Sequence, residues 1–127
     1  TSAPGPVASL EWCSRVAAYV GTKIPPAKLV MGVPFYGRAW TDKRLARAYK
    51  HSAVLEIIDE QRIDDVRREG GVPWFTYEEI VSVTLHYDDV ISLVSRLSMY
   101  RDAVVRNVAF WRLGQEDPAI WQCLQLE

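Results

Sequence analysis

Carboxylates are the usual tools of acid–base chemistry, and the chain carries them in adjacent pairs: Asp59-Glu60, Asp64-Asp65, Glu78-Glu79 and Glu116-Asp117. Neighbours on a strand face opposite sides, and on a helix they diverge, so none of these pairs can work on one bond from one side. They read as surface or helix-capping groups. The histidines, His51 and His86, lie far apart in sequence and read as structural. Cys13 and Cys123 have no His or second Cys at metal-ligand spacing, so a zinc site is not expected, and two thiols make no disulfide framework. Both cysteines read as buried and free. No catalytic residue, metal or cofactor is implied.

A second kind of chemistry sits in KLVMGVPFYGRAW, residues 28–40. Leu29 to Gly37 carries no charge. Arg38 then follows, two residues from Tyr36 and two from Trp40. NVAFWRL, residues 107–113, repeats the theme: an apolar run that delivers Trp111 and Arg112. Each run is short, rich in Val and Phe, and bounded by turn residues, which favours a strand buried on both faces. Pro34 cannot donate to a ladder, so irregularity is expected near the end of the first run.

The surrounding elements follow from periodicity. Ser9 can cap a helix over Leu10–Val20, with Gly21 to end it and Pro25-Pro26 to enforce an extended turn. Residues 43–62 read as helix, possibly broken near His51, with Lys43, Arg44, Arg47 and Lys50 on a solvated face. Gly70-Gly71 marks a turn. Residues 72–87 alternate as an antiparallel pair, with 64–69 as a candidate third strand. Asp88 or Asp89 can cap a helix over Val90–Ala103, and Asp117-Pro118 opens a last helix that would bury Ile120, Trp121 and Leu124. Two buried strands separated by a covering helix imply parallel neighbours in one α/β sheet. The segments read as 1–42, an α+β insertion over 43–88, and 89–127.

Bulk composition excludes several classes. The chain has 127 residues, 49% apolar and 24% charged, enough for one domain with a core. A net charge of −1 gives no electrostatic case for nucleic acid or an anionic membrane. No apolar run approaches the roughly 20 residues of a membrane span. No signal peptide is visible, and TSAPGP reads as linker or loop.

KLVMGVPFYGRAW and NVAFWRLGQEDPAIW resemble the seventh and eighth strands of a glycoside hydrolase family 18 barrel, in the chitinase-like and peptidoglycan N-acetylglucosaminidase-like group. GVPWFTYEE and VTLHYDD resemble the α+β insertion between those strands. The resemblance implies the C-terminal part of a (β/α)8 TIM barrel, a fold that takes about 250 residues when complete. It implies a parent that cleaves β-1,4 bonds of N-acetylglucosamine glycans, chitin or peptidoglycan, by a substrate-assisted mechanism, and that is secreted or held at the cell envelope. The family's acidic D-x-x-D-x-D-x-E motif is absent from this sequence, and its Tyr-Asp pair is expected upstream of Thr1. The segment alone is therefore expected to be inert, since leaving-group protonation is commonly worth about 10²–10⁴ in rate.

Barrel enzymes place chemistry at the C-terminal ends of strands. By resemblance, Trp111 forms the floor beneath the sugar, while Tyr36 and Arg38 line the cleft and hydrogen-bond the glycan. Trp40 and Trp74 either extend this wall or pack within the insertion. Open sheet edges imply self-association or association with the missing segment. Two other readings stay open: a chitinase-like lectin without its acid, and a self-contained α+β domain.

Overall fold

A computed structural model describes residues 3–41, 44–78 and 82–124. The first helix, α1 (Leu10–Gly21), starts where Ser9 Oγ accepts the Trp12 N–H at 3.3 Å. It turns Cys13 and Ala17 inward. A short 3-10 turn, Pro26–Lys28, leads into β1 (Val30–Pro34). This strand pairs in parallel with β7 (Asn107–Trp111), from Val30 opposite Asn107 to Pro34 opposite Trp111. The parallel arrangement is the one expected of two apolar runs joined through a helix, but burial on both faces is not found: β7 has no fully buried residue and Val30 of β1 is exposed. The joining helix is α3 (Val90–Asp102), opened by a reciprocal box between Asp89 and Ser92. Met31, Val33 and Phe35 pack with Leu93, Tyr100 and Ile120 in the core that α1, α3 and the strands share.

The uncharged run does not stay in one strand. It breaks at Phe35, and the next strand, β2 (Tyr36–Thr41), joins a separate sheet. Pro34, which has no N–H, costs this ladder no bond, because alternate N–H groups of a strand face opposite edges and the Phe35 N–H is the one that reaches β7, donating to Trp111 O at 2.8 Å.

The second sheet has five strands in the order β3 (Arg44–Lys50), β2, β6 (Ser82–His86), β5 (Val72–Glu78) and β4 (Arg67–Glu69), all antiparallel. The antiparallel pair expected over 72–87 and the third strand within 64–69 are present. The helix expected from residue 43 is not: 44–50 is strand, and α2 (His51–Glu60) begins only at His51. Pairing won over helical spacing here. β2 needs a partner on its outer edge, and β3 supplies one from Tyr36–Lys50 to Thr41–Arg44. The basic residues from Arg44 to Lys50 therefore lie on a strand, while Lys43 lies outside the described residues. β2, assigned by sequence to the segment ending at 42, is paired on both edges inside this sheet.

Helix α2 covers one face of the five-stranded sheet, where Val54 packs with Ala39, Phe75, Val83 and Leu85. The β4–β5 turn then reaches the first layer. Leu10 N–H donates to Gly70 O at 3.2 Å, and the Arg68 guanidinium pairs with the Asp89 carboxylate. Behind Asp89, Arg96 Nη2 meets Asp88 Oδ1 at 3.0 Å and Ala8 O at 2.7 Å, in full burial. The last helix, α4 (Ile120–Cys123), is shorter than expected. It buries Ile120 but leaves Trp121 about half exposed and Cys123 exposed, against the expectation that both would be covered. Among the described residues, no helix is long and apolar enough to cross a membrane.

Gly37 marks where β2 passes the end of β6. A Cβ there would lie 2.6 Å from Tyr87 Cβ and 2.7 Å from His86 O. Because a carbonyl and a Cβ cannot swing aside, Gly37→Ala is expected to destabilise the fold by about 1–3 kcal/mol, read as a lower denaturation midpoint.

Candidate functional site

The face of the five-stranded sheet opposite α2 gathers most of the residues singled out in the sequence. Registry puts Arg38 opposite His86, His86 opposite Trp74, and Trp74 opposite Arg67, so these four share one side of the sheet. Tyr36 and Trp40 lie on the same side, two residues either way from Arg38. The row is in contact. Arg38 Cζ stands 5.6 Å from the Tyr36 ring centre. His86 lies stacked on Trp74 at 5.6 Å and 13°, and edge-on to Trp40 at 5.8 Å. Arg67 Cζ sits 5.7 Å from the Trp74 ring centre, on the β4 side.

The partners separate the roles open to each residue. Tyr36, Arg38 and Trp74 are half-buried, whereas Trp40 is only 5% exposed. Trp40 is a packing element whose Nε1–H has no hydrogen-bond partner. Trp74 is held from both strand neighbours, by His86 and by Arg67, which leaves its ring edge as the readier contact.

Trp111 belongs to the other sheet and is 70% exposed at the C-terminal end of β7. It lies opposite Pro34, and its carbonyl holds Phe35. Strand alternation gives Tyr36 the same phase as Pro34. Pro34 itself is buried, and Tyr36 opens the other sheet. The peptide bond after Trp111 is cis. Arg112, the neighbouring cation, is exposed.

Sequence reasoning missed the part played by both histidines. His86 is 2% exposed, with Nδ1 unpartnered, and burial holds its pKa below the ordinary histidine value despite the opposing charge of Glu69. It is a neutral spacer between two tryptophans. The alternation in VTLHYDD placed it on a face, but nothing local indicated which aromatics would flank it. His51 opens α2, and its N–H donates to Gln115 O at 2.9 Å. Its Nε2 lies 3.7 Å from Asp117 Oδ2. The same carboxylate accepts Val90 N–H at 2.9 Å and Ala119 N–H at 3.0 Å. Asp117, the expected cap of the last helix, does not cap it: that helix starts at Ile120 with Ala119 as its cap and no side-chain bond there. Asp117 instead serves the first N–H of α3 and ties the start of α2 to the loop after β7.

Glu116 accepts the Trp121 indole N–H at 3.2 Å and the Gln115 N–H at 3.0 Å. Partial burial would raise its pKa, but these donors outweigh it and hold the carboxyl below its usual range. Among the described residues, no group of three His, Cys, Asp or Glu could hold a metal ion.

The model of glycosyl hydrolases family 18 matches residues 2–116. The chain belongs to that family. It is 25% identical over 117 residues to the cortical fragment-lytic enzyme of Bacillus subtilis, a match covering 86% of this chain and 27% of that enzyme. Among solved structures, a chitinase from Chromobacterium violaceum superposes with a TM-score of 0.88 at 22% identity, over 95% of this chain and 39% of that one. The spore cortex-lytic enzyme SleL of Bacillus cereus gives 0.87 at 20% identity, over 95% and 30%. The chain thus spans about a third of the length of these relatives. The resemblance read from the two strand motifs is borne out, and the α/β fold is that of family 18 proteins.

Because the fold favours neutral His86, the unfolded chain takes up that proton first as pH falls through about 6.5. The contribution to stability is complete above that value. It is lost as pH drops toward the lower folded pKa, where a buried charge would be only partly offset by Glu69. Denaturation midpoints should decline below pH of about 6.5, and the decline should flatten in His86→Phe, which keeps the stack without the titration. An identical pH profile in the variant would contradict this assignment.

Proposed function

We propose that this chain supplies the seventh and eighth strands of a family 18 (β/α)8 barrel and forms one side of a cleft for N-acetylglucosamine glycans, chitin or peptidoglycan. The observation that carries the reading is the parallel β1–β7 register, which ends at an exposed Trp111 opposite Pro34, two residues before Tyr36. In a barrel, ligands meet the C-terminal ends of the strands, and that is where both residues lie. The surfaces left open also support it. Val30 on β1 and Trp12 and Tyr19 on α1 are exposed, as expected if neighbouring barrel elements cover them. A groove of about 750 Å3, lined by Leu97, Tyr100, Val108, Phe110 and Leu124, runs beside β7 where further helices would pack.

In this reading Trp111 is the floor. The C–H face of a pyranose packs on a flat indole, and 70% exposure leaves that face accessible. Arg38, braced on Tyr36, donates hydrogen bonds to hydroxyl or acetamido oxygens. Trp74 presents its edge farther along the wall, and Trp40 supports it through His86. The substrate's own N-acetyl group would attack the anomeric carbon, as in substrate-assisted family 18 hydrolysis. The proton for the leaving oxygen would come from a carboxylic acid outside these residues. Alone, the chain would bind such a glycan weakly and hydrolyse none.

The reading can be tested by placing residues 2–116 in the matching stretch of the Bacillus subtilis cortical fragment-lytic enzyme. The chimera should release fragments from spore cortex, while the chain alone should release none. Trp111→Ala in the chimera should lower kcat/KM by roughly tenfold, the value of one lost aromatic contact, with folding unchanged. Full activity in Trp111→Ala, or hydrolysis by the isolated chain, would refute the assignment.

A further inference from the structure

A pocket of about 230 Å3 opens on the outer edge of β5, away from Trp111. It forms where β4 stops. Arg67 is the first residue of β4 and faces Trp74, so Thr76 and the strand beyond it have no sheet partner on that edge from β4. The loop that precedes β4 supplies the opposite wall, with Arg62, Asp64 and Asp65. Arg62 holds a left-handed φ of 51°, which directs this loop around the pocket.

Within it, the Trp74 ring already receives a cation. Arg67 Cζ stands 5.7 Å from the ring centre, and Arg67 Nε donates to Asp65 Oδ2 at 2.8 Å. Both members of that ion pair are 63% exposed, so solvent screens it and the arginine can swing away at little cost. The ring itself stays put. Its other neighbour, neutral His86, is stacked at 13° and nearly fully buried. With Arg67 withdrawn, the Trp74 face would share its lining with Asp64 and Asp65, which lie in the irregular loop before β4 rather than on a strand or helix that turns neighbours apart. Arg62 would be the one opposing cation in the lining.

We propose that this pocket binds a protonated amine, whose ammonium takes the place of Arg67 over Trp74 and is held by Asp64 and Asp65. Cation–π contact on one side and charge-assisted hydrogen bonds on the other select for the charged amine over its acetylated form. Two sources carry that chemistry: an unacetylated glucosamine unit of a glycan, and the free amino group of a peptide. The site lies within residues 62–76 and needs no barrel; it shares Trp74 with the cleft wall assigned above but not Trp111, so loss of activity in Trp111→Ala and loss of amine binding are separate readouts.

The test is a titration of the chain followed through the Trp74 indole N–H resonance, assigned with Trp74→Phe. The probes are a glucosamine trimer, a lysine-containing tripeptide and, as control, the fully N-acetylated trimer. A saturable shift with either amine probe supports the site, and which one binds identifies the source. Asp64→Asn with Asp65→Asn should weaken binding by about 3- to 30-fold. Arg67→Ala should strengthen it, because the resident competitor is gone. All three changes are at exposed positions where folding is expected to survive. Equal response to the acetylated control, no response to either amine, unchanged affinity in the asparagine variant, or weaker binding in Arg67→Ala would each overturn the proposal.

Discussion

The structure turns on one residue between two sheets. Phe35 is fully buried, stacked on Phe110 at 4.5 Å and edge-on to Trp121 at 6.0 Å. Its N–H closes the parallel ladder on Trp111 O, and the next residue already pairs with Lys50 in the antiparallel sheet. The chain therefore changes partners within a single peptide unit, at a point clamped by an aromatic core. Everything exposed nearby inherits its position from that clamp. Trp111 is held to it by a hydrogen bond and Tyr36 by the chain, so the two cannot drift apart without breaking the Phe35 contacts.

Three further ties prevent the five-stranded sheet from pivoting about this point. Asp117 joins the starts of α3 and α4 and lies beside His51 at the start of α2. Arg68 clamps the capping carboxylate of α3. Gly70, with φ +56°, lets the β4–β5 turn approach α1, and its carbonyl receives Leu10 N–H. A Cβ at that glycine would lie 3.1 Å from Ser9 Cβ, which is tighter than an ordinary contact. Each tie uses a helix N-terminus, where unpaired N–H groups and the positive end of the dipole already favour carboxylates and carbonyls. The insertion is thus anchored by backbone groups the helices would have to satisfy in any case.

Much of this was legible in the chain. Ser9, Gly21, Asp89 and Pro118 bracket helices for local reasons, and local reasons are what sequence periodicity reports. The parallel strands could be read because both runs lack charge over a strand's length. Residues 44–50 could not be read in the same way. Their basic spacing fits a helix, and only pairing with the outer edge of β2, from Tyr36–Lys50 to Thr41–Arg44, makes them a strand. The candidate surface shows the same division. Tyr36, Arg38 and Trp111 stood out because they end apolar runs. His86 did not, because its role depends on two tryptophans brought together by registry across three strands.

The carboxylates show why this segment reads as half of a catalytic device. Asp88 has a pKa raised by burial, as a proton donor requires, yet it is 2% exposed and paired with Arg96, so no glycan oxygen can reach it. Asp89 is held below its usual value by Arg68 and by the Ser92 donors, against the effect of burial. Glu116 is likewise held ionised, and Asp117 is engaged by two backbone N–H groups. A general acid must be both protonated near neutral pH and open to the leaving oxygen. These four meet at most one of those conditions, because each has been recruited to hold the scaffold in place. By contrast, Trp111 is 70% exposed, and Tyr36 and Arg38 are half-buried. In the proposed barrel, geometry comes from this side of the cleft and the proton from the other.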